Sequence, residues 1–116
     1  MMLEGSPELR GTKMPRKTPP LPLPVRRALR KLGSDIREAR LRRRIQTAVM
    51  ADRVQVSRPT LWKLEQGDAS VGMGAYATAL YVLGMVDRLA DLADIASDPV
   101  GQQLASEALP KRIVSK

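Results

Sequence analysis

The stretch from Thr47 to Gly67, TAVMADRVQVSRPTLWKLEQG, leaves this chain few folds to choose from. Its apolar residues recur at three- and four-residue spacing in two short runs. Met50, Ala51 and Val54 mark the inner face of the first run, and Leu61 and Leu64 that of the second. Ser57 offers a side-chain N-cap, and Pro59 falls in a first turn, where its missing N–H costs nothing. Gly67 sits where a C′ glycine ends a helix. The pattern predicts one helix over about Thr47–Val54 and a second over about Arg58–Gln66, joined by a tight turn. Such a turn needs a residue that accepts a left-handed backbone, usually Gly. Here that position is Gln55, a departure, with Val56 available to plug the core behind it. Gln46 or Thr47 starts the first helix, and Thr is the better cap of the two.

The flanks read as more helix. Val25, Ala28, Leu29, Leu32, Ile36 and Ala39 form one face of a helix over about Val25–Arg42. Arg26, Arg27, Arg30, Arg37 and Arg40 form its opposite, solvated face. Gly33 weakens the middle slightly. A helix over Met73–Leu83 carries a stripe of Met73, Ala77, Leu80 and Leu83. A further helix over Val86–Ala96 sets Leu89, Leu92, Ala93 and Ala96 on one face and an acidic row of Asp87, Asp91, Asp94 and Asp98 on another. Pro99 starts a last helix reaching about Leu109. The expected fold is all-α, a compact domain of five helices. Residues 1–24 read as a disordered, Pro-rich, basic arm, with five of the nine prolines between Pro15 and Pro24. Within it PPLPLP (Pro19–Pro24) favours polyproline II, as a stiff linker or a docking peptide. Residues 25–97 form the helical domain, and residues 98–116 the C-terminal helix and tail.

Composition removes several functions. The chain has no Cys and no His, so thiol chemistry, Cys/His zinc sites and His-based catalysis are excluded. No Walker-type glycine loop and no apolar-set carboxylate pair occurs. A binding protein is expected, with no enzymatic activity and no cofactor. No apolar run approaches the ~18 residues of a membrane span, and no signal-peptide core opens the chain; a cytoplasmic protein that does not enter the membrane is expected. Charge is uneven. Residues 1–67 carry 16 Lys/Arg against 6 Asp/Glu, whereas residues 68–110 carry one basic residue, Arg88, against six acidic ones. The basic half suits a polyanion, and the acidic half would face away from it.

Two short helices with a polar, basic start to the second form a helix-turn-helix, and that motif points to double-stranded DNA. The first helix braces the second, which enters the major groove N-terminus first. Ser57, Arg58, Pro59 and Thr60 are then the candidates to read bases. Arg58 leads, because its fork can bond guanine O6 and N7 together, for roughly 1–3 kcal/mol of discrimination. Pro59 offers apolar contact to a thymine methyl. Arg42, Arg43, Arg44, Gln46, Thr47, Lys63 and Gln66 are candidates for phosphate contacts. Trp62 is either half-buried or packed on the sugar–phosphate edge. The arm's Arg and Lys are candidates for phosphates or a minor groove.

IREARLRRR (Ile36–Arg44), VSRPTLWKLEQGDASV (Val56–Val71) and YVLG (Tyr81–Gly84) resemble the Xre family of bacterial regulators, related to phage repressors of the Cro type. The resemblance covers about Ile36 to Leu83. It implies a lambda-repressor-like domain that dimerises and binds inverted-repeat operators. The family's usual Gln at the start of the first motif helix is Thr47 here, with Gln46 one place earlier. TLWKLEQGDASVGMGAYATALYVLG, an acidic helix and a terminal LPKR are similar to a HipB-like subgroup. That resemblance implies an antitoxin which represses its own operon and binds a HipA-like kinase toxin through residues after Gly67. A free-standing repressor and a helical protein-binding adaptor are the alternatives. The tail LPKRIVSK is read as a strand pairing with its copy, a toxin contact, or a loose end.

Overall fold

The computed structural model describes residues 20–107. Residues 1–19 of the expected arm, and the tail Leu109–Lys116, lie outside them. All regular structure in the described residues is helical: α1 (Leu23–Arg42), α2 (Thr47–Val54), α3 (Arg58–Glu65), α4 (Met73–Val82), α5 (Val86–Ala90), a 3₁₀ turn at Ile95–Ser97 and α6 (Pro99–Glu107). The motif helices thus stand within a residue of where the spacing puts them.

α1 begins two residues before its expected start, inside the proline run. Pro24 fits the first turn, where no backbone donor is needed, and Pro22 holds φ −55, ψ 146, close to polyproline II. The first turns of α1 have little to pack on. Val25 and Ala28, expected inside, are exposed, and burial sets in only at Gly33, Ile36 and Ala39. An apolar stripe was legible along the whole helix, but α3 covers only its later part.

The core gathers Ile36 and Ala39 of α1, Met50, Ala51 and Val54 of α2, and Leu61 and Leu64 of α3. Val71, Tyr76, Ala79 and Leu83 close it from the α4 side. Val56 is half-buried against this cluster, as its plug position requires. The expected stripe of α4 holds at Leu83, which is buried, and Leu80, which packs on the core, but Met73 lies out in solvent and Tyr76 and Ala79 are buried as well. The Tyr76 hydroxyl donates to the Asp68 carbonyl at 2.8 Å. That bond turns the ring inward and pins the loop after α3. Burial, with the Asp68 carboxylate adding to it, pushes the phenol pKa above its ordinary 10.0.

α5 stops at Ala90 rather than Ala96. The expected acidic face is broken because its aspartates cap new starts. Asp94 Oδ1 accepts the Ala96 N–H at 2.8 Å, and Asp98 Oδ1 accepts the Gly101 N–H at 2.9 Å. Short carboxylates compete with the helix for backbone donors and win at such positions.

Two glycines set the crossing of α1 and α3. A Cβ on Gly33 would stand 2.5 Å from the Gly67 nitrogen and 2.6 Å from the Leu64 carbonyl oxygen, both backbone atoms that cannot swing aside. Gly33 is therefore the contact point of two helices rather than a weak spot in one. Gly67 holds φ +76 and ends α3 as the spacing predicts. Its N–H donates to the Leu64 carbonyl at 3.0 Å, and that of Asp68 to the Lys63 carbonyl at 3.0 Å. This pair of bonds is the Schellman closure.

Candidate nucleic-acid interface

α2, its turn and α3 present one exposed surface. Gln55 takes the left-handed conformation, φ 66 and ψ 44, that the turn demands. The Val56 N–H then donates back to the Ala51 carbonyl at 3.0 Å, and the chain reverses into α3.

The start of α3 is built by Ser57. Its Oγ accepts the Thr60 N–H at 3.2 Å and donates to Thr60 Oγ1 at 2.9 Å. The Ser57 hydroxyl is thus engaged in capping, and Thr60, whose Oγ1 accepts from it, is half-buried. Arg58 and Pro59 are left exposed at the tip of the helix. Arg58 has no ion-pair partner among the described residues. Of the four candidate base readers, these two face outward without a competing partner.

The candidate phosphate residues do not form one group. Gln46, not Thr47, is the N-cap of α2. It is extended, with φ −70 and ψ 152, and its side chain makes no capping bond. Thr47 is the first helical residue. The carbonyl of Gln46 accepts the Met50 N–H at 2.9 Å, which fixes the helix start without a side-chain acceptor. The first backbone donors of α2 are therefore open to an outside anion. Arg43 donates to the Ala39 carbonyl at 2.9 Å and serves as the end of α1. Arg44 is exposed, with φ 54. Arg42 lines a different groove, with Leu80, Leu83 and Arg88, between α1 and α4–α5. Lys63 and Gln66 are exposed on α3. Trp62 is 63% exposed, which removes the half-buried alternative.

One pair escaped the reading of the residues. Arg40, assigned to the solvated face of α1, is buried, and so is Glu65. Arg40 Nε donates to Glu65 Oε2 at 2.8 Å and Nη2 to Oε1 at 3.0 Å. Nη1 donates to the Ile45 carbonyl at 3.0 Å. One guanidinium so ties α1 to the end of α3 and to the strand of chain entering α2. The hydrogen bonds to Glu65 outweigh desolvation and hold the Arg40 pKa above the ordinary arginine value. A signal for this pair existed. Arg40 lies four residues after Ile36, and Glu65 four after Leu61, so each charge continues an apolar stripe. Two opposite charges in core register are a sign of a buried pair.

A family model described as a helix-turn-helix domain matches residues 31–94, from within α1 to beyond α5. No curated protein matches the chain, and no solved structure does.

Proposed function

We propose that this chain, which belongs to the helix-turn-helix domain family, is a transcriptional repressor that reads a specific sequence of double-stranded DNA. The observation that carries the reading is the tip of α3. Arg58 and Pro59 stand exposed at its N-terminus, while its back is held by Leu61, Leu64 and the Arg40–Glu65 pair. A rigid helix with an unpaired guanidinium at its leading end is suited to a base edge in the major groove. The open donors of α2 and the exposed Arg44 and Lys63 supply phosphate contacts, with Gln46, Thr47 and Gln66 beside them. Arg42 and Arg43 contribute mainly by charge. Such a protein works where the chromosome is, in the cytoplasm.

The protein acts as a homodimer on an inverted repeat, with half-sites about one helical turn apart or a multiple of it. Selection from a random duplex library, followed by footprinting, tests this. A selected palindrome supports the reading. Uniform binding of every duplex contradicts it.

The HipB-like resemblance favours a finer role, the antitoxin of a HipA-like kinase toxin that shares its operon. The half of the chain after Gly67 is acidic, and Leu92, Ile95, Val100 and Leu104 are exposed there. Large apolar side chains left exposed beside an acidic surface suit a protein partner more than DNA. Capture of tagged protein at high salt with nuclease, read by mass spectrometry, separates the roles. A stoichiometric kinase supports the antitoxin, and recovery of this chain alone supports a free-standing repressor. An adaptor that only holds proteins would keep its function after loss of Arg58.

A further inference from the structure

α1 carries a charged strip outside the α2–α3 unit. At about 100° per residue, Arg26, Arg30 and Arg37 fall within roughly 40° of one another. They lie on the flank adjoining Gly33 and Arg40, which face α3. All three are exposed. Arg26 and Arg30 have no ion-pair partner among the described residues. Arg37 meets only Glu38, at 3.3 Å on the open surface, a pair of little strength.

Arg30, Ser34 and Arg37 form one wall of an open cleft of about 360 Å³, and Trp62, Glu65 and Gln66 form the other. Glu65 is already forked by Arg40. The cleft therefore offers cations, a hydroxyl, an amide and an exposed indole. A neighbouring groove shares Arg30 and Gln66 and extends the strip to Arg26.

The placement beside α3 gives this cleft a ligand. Trp62 lies one turn after Arg58 on the flank of α3 that borders α1, and Lys63 lies toward the other flank. A helix is about 10–12 Å across, and the major groove is about 12 Å wide. A helix seated there has a sugar–phosphate strand against each flank. An indole presents a flat apolar face and an N–H, and guanidinium forks fit phosphate oxygens.

We propose that the cleft between α1 and α3 clamps one DNA strand, with Arg30 and Arg37 on a backbone phosphate and Trp62 packed on the adjoining deoxyribose. The clamp deepens the DNA-reading function and rests on it. Backbone contacts carry no sequence information directly. The clamp adds affinity for any duplex and leaves the choice of sequence to Arg58.

The test titrates the full chain with a duplex bearing its selected site and with a scrambled duplex, from roughly 50 to 200 mM salt. The Arg30→Ala/Arg37→Ala variant is expected to make the log K against log salt slope shallower by about 1–2. Both duplexes lose affinity alike, so their ratio holds. Trp62→Ala weakens both by roughly tenfold, and Trp62→Phe restores most of that loss. All three side chains are exposed, and unfolding curves of the variants verify that the fold is kept. An unchanged slope in the double variant overturns the clamp. So does a Trp62→Ala protein that changes its preference between duplexes rather than its affinity. An unsubstituted chain that binds neither duplex overturns the DNA reading itself, a separate result.

Discussion

Arg40 and Glu65, 25 residues apart in sequence, face each other across the α1–α3 crossing with two hydrogen bonds of 2.8 and 3.0 Å. Removing one partner leaves the other charged and buried. Glu65→Ala should cost about 3–5 kcal/mol of stability, while a paired Arg40→Met/Glu65→Leu replacement should be close to neutral. Urea unfolding measures both. A single variant costing as little as the paired one would falsify the view that these charges are locked together in the interior.

Gly33 and Gly74 should respond in opposite ways to the same methyl group. A Cβ on Gly33 meets three backbone atoms of the α3 end within 2.8 Å. Gly33→Ala should therefore cost at least the ~1–3 kcal/mol of an overpacked core. Gly74 lies in α4 with open space around it, so Gly74→Ala should gain up to roughly 1 kcal/mol. Thermal unfolding of the two variants side by side gives the comparison.

Gln55 is held at φ 66. Left-handed backbone costs a residue with a Cβ roughly 1–2 kcal/mol, and glycine almost nothing. Gln55→Gly should raise stability by about 1 kcal/mol, and Gln55→Val should lower it. No gain from glycine would mean that the Gln55 side chain makes a compensating contact.

The leading turn of α3 separates stability from recognition. Ser57→Ala removes the cap acceptor and should cost about 1 kcal/mol of stability. Arg58→Ala removes no ion-pair partner among the described residues, so stability should hold while discrimination at one base pair of each half-site falls by about 1–3 kcal/mol. Binding to single-base variants of the selected site reads the second effect directly. An unchanged preference would exclude Arg58 as a base reader.

Tyr76 gives the fold an alkaline limit. Its folded pKa is raised by burial and by the Asp68 carboxylate. The neutral phenol is thus favoured in the folded state. This contribution is complete below the unfolded pKa of about 10 and is lost as pH rises through the folded value. Tyr76→Phe should remove that alkaline loss. It should also cost about 1 kcal/mol at neutral pH through the missing bond to the Asp68 carbonyl. Denaturant midpoints between pH 8 and 11 would show both.

Local rules placed the motif almost to the residue. Ser57, Pro59 and Gly67 act on their own backbone within a turn, so their meaning is available without knowing what lies nearby. Met50, Ala51, Val54, Leu61 and Leu64 announced their faces by period. Arg58 and Pro59 could be named because a cap residue fixes which neighbours lead the helix. Elsewhere local rules reached less far. The α4 stripe holds at Leu80 and Leu83 but misses Tyr76, because the contact that turns Tyr76 inward, to Asp68, spans the loop between two helices. The long α5 was broken by Asp94 and Asp98, whose capping competes with a helix that has too little core to hold it.

The sequence by itself determined where α2 and α3 form, how the turn between them closes, and that the front half carries the positive charge. These follow from backbone propensity, capping and composition, all of which act over a few residues. Only the tertiary structure decided that Arg40 is buried rather than solvated, that Gly33 is a crossing point, and that Arg30 and Arg37 border Trp62. Each depends on which helix lies against which, and at what distance. A pairing across 25 residues is specified by the packing of the whole core, and no local pattern contains it.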